Sequence, residues 1–241
     1  MLSFRMQNLD GYIVLLIFLA SSAAFIWKKL RFTGALAGFI VALFHYFGGG
    51  FILLILLGVF FVAGTLASKW KTIEKQKLNL AQENKGQRGI ANVFANGGVS
   101  ALCAVLALIF SNNQNILIIM AASALASATA DTLASELGNV YGKRFVNILS
   151  LKKEKKGMDG AISLEGTFAG VAGSLLIALG YYLNKPIFGD ALPIFVGGIL
   201  GCLVDSALGA TLQRGGTLNN HSVNFFSTLV AAILVGAYLL L

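Results

Sequence analysis

Four carboxylates lie inside apolar stretches of this chain, where membrane-embedded sequence normally excludes them. Asp131 and Glu136 interrupt a run of small apolar residues, Glu165 lies near the start of a second run, and Asp205 is embedded in a third. An ionised Asp at the centre of a membrane-spanning helix costs ~2.5–3.5 kcal/mol. A chain that accepts this cost repeatedly is expected to use these acids for chemistry, with polar or cationic groups opposite them.

Hydrogen-bonding and basic residues accompany these acids along the chain. They are Arg88, Asn92, Asn96, Ser135, Lys143, Gln213, Asn219, Asn220 and Asn224. Carboxylate, amide and hydroxyl oxygens suit a hard cation such as Mg²⁺. We therefore expect a magnesium site with Asp131, Glu136 and Asp205 as its ligands. A zinc site is disfavoured because His45 and His221 are isolated and no Cys/His cluster accompanies them.

The spacing of the first two acids limits how they can share one site. Asp131 and Ser135 are four residues apart and lie on one helix face. Glu136 is five residues from Asp131, which places it roughly 140° around a regular helix. Either the helix loosens near Gly138 or the two carboxylates face different partners. A solvated helix end is the simpler interpretation of Glu136.

Composition indicates a polytopic, all-α membrane protein. The 241 residues are 57% hydrophobic and 12% charged, with a mean hydropathy of +0.80. The net charge of +8 is concentrated in short loops between apolar runs, as in the positive-inside pattern, which argues against a nucleic-acid partner. No cleaved signal or transit extension is recognisable, which favours a prokaryotic cell membrane. Cys103 and Cys202 lie in apolar runs and are interpreted as core residues.

About eight membrane spans with short loops follow from the apolar runs, since a span needs about 20 residues. The predicted spans are 12–27, 32–47, 51–68, 89–110, 115–138, 161–183, 190–213 and 222–241. Only the glycines of 48–50 separate the second span from the third. An even count places every basic loop, and with them the acids, on one face, which we expect to be cytoplasmic. We predict a single transmembrane domain, 1–241, whose motif-bearing core is 88–241.

Several sequence motifs follow one another between Asp131 and Asn224. In chain order they are Asp131-Thr132, Ala134-Ser135-Glu136-Leu137-Gly138, Tyr141-Gly142-Lys143, Gly160-Ala161-Ile162-Ser163-Leu164-Glu165-Gly166-Thr167-Phe168-Ala169-Gly170, Gly209-Ala210-Thr211-Leu212-Gln213, Leu218-Asn219-Asn220 and Val223-Asn224. Together these motifs resemble an integral membrane family that includes plant phytyl-phosphate kinase and the transmembrane protein 19 group. Their order and spacing agree with the family from about Arg88 to the C-terminus. Residues 1–87 agree only in general character.

The resemblance implies an enzyme that phosphorylates an isoprenoid monophosphate to its diphosphate with a nucleoside triphosphate, CTP being favoured. Asp131, Glu136, Glu165 and Lys143 would then be catalytic, and Arg88 would join Lys143 in neutralising phosphates. Ser135, Gln213 and the asparagines would bind the nucleotide or the lipid phosphate, with the bilayer holding the lipid. The oligomeric state is left open.

Two other classes of function fit part of the pattern. Buried acids and glycine-rich helices also occur in ion-coupled secondary transporters. However, the polar groups gather at one membrane boundary and not at the midplane, and no inverted repeat is evident. A purely structural membrane protein would leave the acids unexplained. No Walker-type phosphate loop is present.

Overall fold

The computed structural model describes residues 2–77 and 86–241, with side chains from Asp10 onward. Over these residues the protein is a bundle of membrane helices with one short β-hairpin. The elements in chain order are α1 (Leu2–Ile26), α2 (Phe32–Lys69), α3 (Thr72–Lys77), α4 (Ile90–Ile109), a 3₁₀ turn (Ser111–Asn113), α5 (Gln114–Tyr141), β1 (Phe145–Asn147), β2 (Ala161–Ser163), α6 (Leu164–Asn184), α7 (Phe188–Leu208), a π-helical turn (Gly209–Gln213) and α8 (Asn220–Leu240). Within the described residues, α2 and α4 to α8 are long and apolar enough to cross a membrane. The predicted all-α polytopic class is confirmed.

The long helix α2 reverses direction at Gly50 and crosses the membrane twice. A straight 38-residue helix would be about 57 Å long, nearly twice the hydrocarbon thickness. Gly50 has φ 63° and ψ −154°, which are not helical values. Gly34 and Gly64, on opposite sides of this break, both pack against Arg88, through its carbonyl and its guanidinium respectively. Both ends of α2 therefore lie together, so α2 supplies the predicted second and third spans. Counting α1, whose apolar part is Asp10–Ile26, the described residues contain eight apolar helical segments, as many as the predicted spans.

Helix α5 is the centre of the bundle and packs against α2, α4, α6, α7 and α8. Every residue from 121 to 130 is buried. Small side chains let the neighbouring helices approach closely. At Gly173 of α6, for example, an added Cβ would lie 3.0 Å from the Thr129 carbonyl oxygen. The glycine spacing in α6 thus serves helix packing.

One end of the bundle, here called the basic face, is where α5 ends and where α4, α6 and α8 begin. The loops that carry most of the basic residues meet there. Lys29, after α1, and Lys69, at the end of α2, are close enough that the contact with Lys69 lowers the pKa of Lys29. This crowding agrees with the predicted gathering of the basic loops on one side.

A short hairpin replaces the predicted start of the sixth span. Residues 161–163 form β2, which pairs antiparallel with β1, with Phe145 opposite Ser163. The helix cannot begin earlier because Ser163 has an extended backbone and its Oγ accepts a hydrogen bond from the Gly166 N–H at 3.1 Å. The hairpin and its loop, 148–160, lie at the basic face. The seventh span ends in the π-helical turn instead of regular helix.

Candidate functional site

A polar cavity of about 290 Å³ opens at the basic face between α4, α5, α6, α7, α8 and the hairpin loop. Asp131 of α5 and Asp205 of α7 both line it, and their carboxyl groups are within hydrogen-bonding distance of each other. Asp205 Oδ2 also accepts a hydrogen bond from Ser227 Oγ at 3.0 Å. Two adjacent carboxylates repel each other unless a proton or a cation lies between them. The pair is therefore suited to binding a cation.

A chain of asparagine amides forms one wall of this cavity. Asn96 Nδ2 donates to the Asn92 carbonyl at 2.9 Å, and Asn224 Nδ2 donates to Asn96 Oδ1 at 3.3 Å. Asn224 Oδ1 is buried and has no hydrogen-bond partner among the described residues. A buried acceptor without a donor costs about 1–3 kcal/mol. The cavity thus offers an oxygen that a cation or a bound donor would satisfy.

Arg88 is the one basic residue of the cavity lining in the described part of the chain. It is only 8% exposed. Its backbone is fixed because its N–H donates to the Lys29 carbonyl and its carbonyl accepts from the Arg31 N–H, each at 3.0 Å. Its guanidinium lies 5.7 Å from the centre of the Phe60 ring. A buried guanidinium held in this way is suited to a phosphate or carboxylate.

The loop before β2 contributes another side of the cavity. Met158, Asp159 and Gly160 line it, and Arg214 Nε donates to the Asp159 carbonyl at 2.7 Å. Gly160 has φ 71°, and an added Cβ there would lie only 2.4 Å from Ala210 Cβ in the π-helical turn. The loop is therefore fixed against the end of α7.

An ion pair secures the same loop from its outer side. Arg214 Nη1 lies 2.7 Å from Glu154 Oε2. The pKa of Glu154 is lowered, first by a hydrogen bond from the Lys155 backbone N–H and then by Arg214. Glu154 is thus held ionised, as the pairing with Arg214 requires. Arg214 therefore connects the loop to the chain that follows the π-helical turn.

Most of the residues predicted to form the site do meet in this cavity. Those that line it are Arg88, Asn92, Asn96, Asp131, Ser135, Asp205, Gln213, Asn220 and Asn224. Asp159 lines it as well but was not predicted, because it follows a basic run that was interpreted as a topology determinant. The Gly-Met-Asp-Gly sequence of 157–160 was the available signal, since glycines beside a carboxylate favour a tight loop.

Glu136 does not join the carboxylate pair, contrary to its prediction as a metal ligand. Its Oε2 lies 2.5 Å from Lys75 Nζ, and the two side chains are 7% and 1% exposed. Lys75 Nζ also donates to the Ala67 and Ser68 carbonyls. The helix stays regular to Tyr141, so the five-residue spacing turns Glu136 away from Asp131. The solvated interpretation of Glu136 is wrong too, because the carboxylate is buried.

Three further predicted residues lie outside the cavity lining. Lys143 is exposed in the loop after α5, and its backbone N–H donates to Glu165 Oε2 at 3.4 Å. Asn219 caps α8, since its Oδ1 accepts from the Ser222 N–H at 2.9 Å. The structure therefore gives Asn219 a capping contact and places Lys143 and Glu165 beside each other, apart from the carboxylate pair.

The predicted trio of metal ligands is not assembled. Among the described residues, no three His, Cys, Asp or Glu side chains are grouped so that they could hold a metal ion. Asp131 and Asp205 supply two carboxylates, and the remaining oxygen donors at hand are amides such as Asn224. A cation bound here would complete its shell with water or with substrate oxygens.

Comparison with known proteins shows the family of the chain. Residues 14–232 match the family described as Integral membrane protein DUF92. The chain belongs to this family. The Uncharacterized membrane protein MJ0933 of Methanocaldococcus jannaschii is 40% identical over 203 residues, covering 83% of this chain and 80% of the relative. The Uncharacterized membrane protein sll0875 of Synechocystis is 36% identical over 188 residues, covering 76% and 72% respectively.

A plant member of the DUF92 family extends the comparison. Protein VTE6, chloroplastic, of Arabidopsis thaliana is 29% identical over 226 residues, covering 91% of this chain and 68% of the plant protein. The resemblance to an integral membrane family with plant members is thereby confirmed. No solved structure matches the chain. The DUF92 match includes every residue of the polar cavity.

Proposed function

We propose that the protein is a membrane phosphotransferase that converts an isoprenoid monophosphate to its diphosphate with a nucleoside triphosphate, CTP being favoured by the family resemblance. The observation that carries this proposal is the polar cavity at the basic face, which combines a carboxylate pair with one buried guanidinium. A cavity at a membrane–water boundary gives a soluble nucleotide and a lipid phosphate access to one site. We place that face in the cytoplasm because the basic loops gather on it.

The charge of the cavity supports a requirement for Mg²⁺. Asp131, Asp159 and Asp205 line the cavity together with one arginine among the described residues, so bound phosphates would need added positive charge. Mg²⁺ commonly uses one or two carboxylates together with substrate phosphates and water. Asp131 and Asp205 would hold it, with the unpartnered Asn224 Oδ1 as a further donor. The ion would neutralise charge on the phosphoryl oxygens.

The other lining residues would bind and orient the substrates. Arg88 would hold the phosphate of the lipid, because its guanidinium can donate two parallel hydrogen bonds. The amides of Asn92 and Asn96 would fix its position, while Gln213 and Asn220, which is exposed at the start of α8, would contact the nucleotide. The loop that carries Asp159 and is fixed by Arg214 would limit the access of water.

The proposed phosphoryl transfer requires little proton transfer by the protein. The attacking oxygen of a phosphate monoester is already anionic near neutral pH, since the second pKa of such a group is about 6. Catalysis can therefore rest on positioning and on charge neutralisation. The absence of histidine from the described cavity lining is compatible with that requirement.

The test is turnover by the purified full chain in nanodiscs, with Mg²⁺, labelled nucleotides and a panel of prenyl monophosphates. We expect a nucleotide-dependent lipid diphosphate, and an about 100-fold or larger loss of kcat/KM in Asp131→Asn, which keeps shape but removes charge. Arg88→Lys should raise the KM for the lipid phosphate. Glu74→Gln, on the exposed side of α3, is the matched control and should behave as wild type.

Two results would contradict the proposal. One is the absence of nucleotide-dependent product across the whole panel. The other is an Asp131→Asn variant with normal turnover and normal dependence on Mg²⁺. Uptake into sealed proteoliposomes that is driven by an imposed ion gradient, without any lipid diphosphate, would favour the ion-coupled carrier instead.

A further inference from the structure

A second cavity, of about 210 Å³, lies inside the bundle between α1, both halves of α2 and α4. Its lining is apolar except for Ser21, Arg88 and Asn92. Small residues form much of the wall, namely Ala20, Ser21, Ala24, Gly38, Ala42, Gly58 and Gly97. None of the predicted catalytic carboxylates lines it. We call it the apolar cavity.

The apolar cavity and the polar cavity meet at two residues. Arg88 and Asn92 are in the lining of both. They lie at the basic face, where α4 begins, so the charged group of the apolar cavity is at that end. A ligand with an anionic head and a hydrocarbon tail matches this arrangement: the head would contact Arg88, and the tail would extend away from the polar cavity.

The apolar cavity also has a definite depth. On α1 its lining runs from Ile17 to Ala24, and on the second half of α2 from Leu54 to Phe61. Seven residues of helix correspond to about 10 Å. The lining along each of these two helices is therefore about 10 Å long.

We propose that the apolar cavity binds the first part of the isoprenoid tail, an inference that rests on the proposed kinase function. Dry apolar cavities of about 150 Å³ bind benzene, so this one has room for about eight or nine carbons, close to two isoprene units. The small wall residues leave space for methyl branches. Gly58 and Ala20 are exposed at the bundle surface, so the remainder of a longer tail leaves there into the bilayer.

The first experiment maps the tail directly. The wild-type chain in nanodiscs is irradiated with farnesyl monophosphate that carries a diazirine on its second isoprene unit, and the labelled peptides are identified. We expect labels within 17–24 and 54–61, reduced by excess unlabelled farnesyl monophosphate. Labels confined to residues that do not line the apolar cavity, or no competable label, would overturn the inference.

The second experiment fills the cavity. At Gly58 an added Cβ meets nothing within 4 Å, so Gly58→Leu should occupy the space without disturbing the helices. We expect the KM for farnesyl monophosphate to rise about tenfold or more, because burial of several methylene groups is lost. The KM for nucleotide should stay unchanged, and the five-carbon dimethylallyl monophosphate should be affected least.

Two further variants make that result decisive. Gly11→Leu is the matched control, because Gly11 is also an exposed helical glycine with nothing within 4 Å of an added Cβ, and it does not line the apolar cavity. Ala20→Leu fills the cavity from α1 and serves if Gly58→Leu does not fold. Equal KM values for farnesyl monophosphate in Gly11→Leu and in the cavity-filling variants would overturn the inference.

The two proposals fail in different ways. If labels map to 17–24 and 54–61 but no lipid diphosphate forms, the kinase function fails and the tail site stands. If the wild type forms lipid diphosphate but labels lie elsewhere, or cavity filling has no effect, the kinase stands and the tail site fails.

Discussion

The buried ion pair between Lys75 and Glu136 gives a stringent test of the fold at the basic face. Lys75→Met removes the charge and keeps an unbranched side chain of similar length. The Lys75 side chain is 1% exposed, and its ammonium group lies 2.5 Å from Glu136 Oε2. It also donates to the Ala67 and Ser68 carbonyls at 3.0 and 2.9 Å. Its loss therefore leaves the buried carboxylate without this donor. The two carbonyls lose one donor each and keep longer hydrogen bonds, from the Trp70 N–H to Ala67 and from Thr72 Oγ1 to Ser68.

The expected loss of stability follows from this geometry. Removing one partner of a buried ion pair typically costs 3–5 kcal/mol. Arg88 is near enough to interact electrostatically with Glu136 and offsets part of that loss, so we expect about 3 kcal/mol. For a chain of this length, 1 kcal/mol corresponds to about 2–4 °C in Tm. Lys75→Met should therefore lower Tm by about 6–12 °C.

The assay is thermal unfolding of the purified protein in detergent, followed by loss of helical circular dichroism. Lys71→Met is the control, because the Lys71–Glu74 pair is 40% and 58% exposed and such pairs contribute about 0–1 kcal/mol. Replacing both Lys75 and Glu136 with Met should recover most of the lost Tm. If Lys75→Met changed Tm no more than Lys71→Met does, the pair would not be a buried structural contact.

The remaining predictions concern the carboxylate in that pair, the loop and the orientation. Glu136→Gln should lower Tm while the KM for nucleotide stays within about twofold of the wild-type value. Loss of turnover at an unchanged Tm would instead indicate that Glu136 acts in the reaction. Gly160→Ala should expose the loop to limited proteolysis, because φ 71° and the close contact with the π-helical turn both disfavour a side chain. Gly216→Ala shares the positive φ, at 74°, without any contact, and should be cleaved as wild type is. In intact cells an impermeant thiol reagent should label a cysteine at Asn112 and spare one at Lys153; the opposite pattern would reverse the orientation.

Hydropathy was sufficient to place most of the helices. The predicted spans 89–110 and 115–138 correspond to Ile90–Ile109 and Gln114–Tyr141. These boundaries are readable because the backbone in a bilayer must satisfy its own hydrogen bonds, so an apolar run of about 20 residues can only be helix. Local geometry also gave the separation of Asp131 from Glu136 as one of two alternatives, although a shared metal site was predicted.

Contacts between distant parts of the chain could not be predicted from the sequence. Lys75 and Glu136 are 61 residues apart, and nothing in the basic run around Lys75 distinguishes it from its neighbours. Strand β2 could not be predicted either. Its three residues are too few to show the alternation of a strand, and they adjoin an apolar run that predicts helix. Asp159 reaches the cavity only through the hairpin and its contact with Arg214.

The reversal at Gly50 also bears on how the chain enters the membrane during synthesis. Between Phe32 and Ser68 there is no Asp, Glu, Lys or Arg, and the turn consists of glycine alone. The two halves of α2 can therefore insert together as a helical hairpin, since no charged loop has to be carried through the hydrocarbon. The basic residues before and after this hairpin hold both of its ends on one side. The orientation of this hairpin is therefore set by basic residues that lie outside the polar cavity, apart from Arg88.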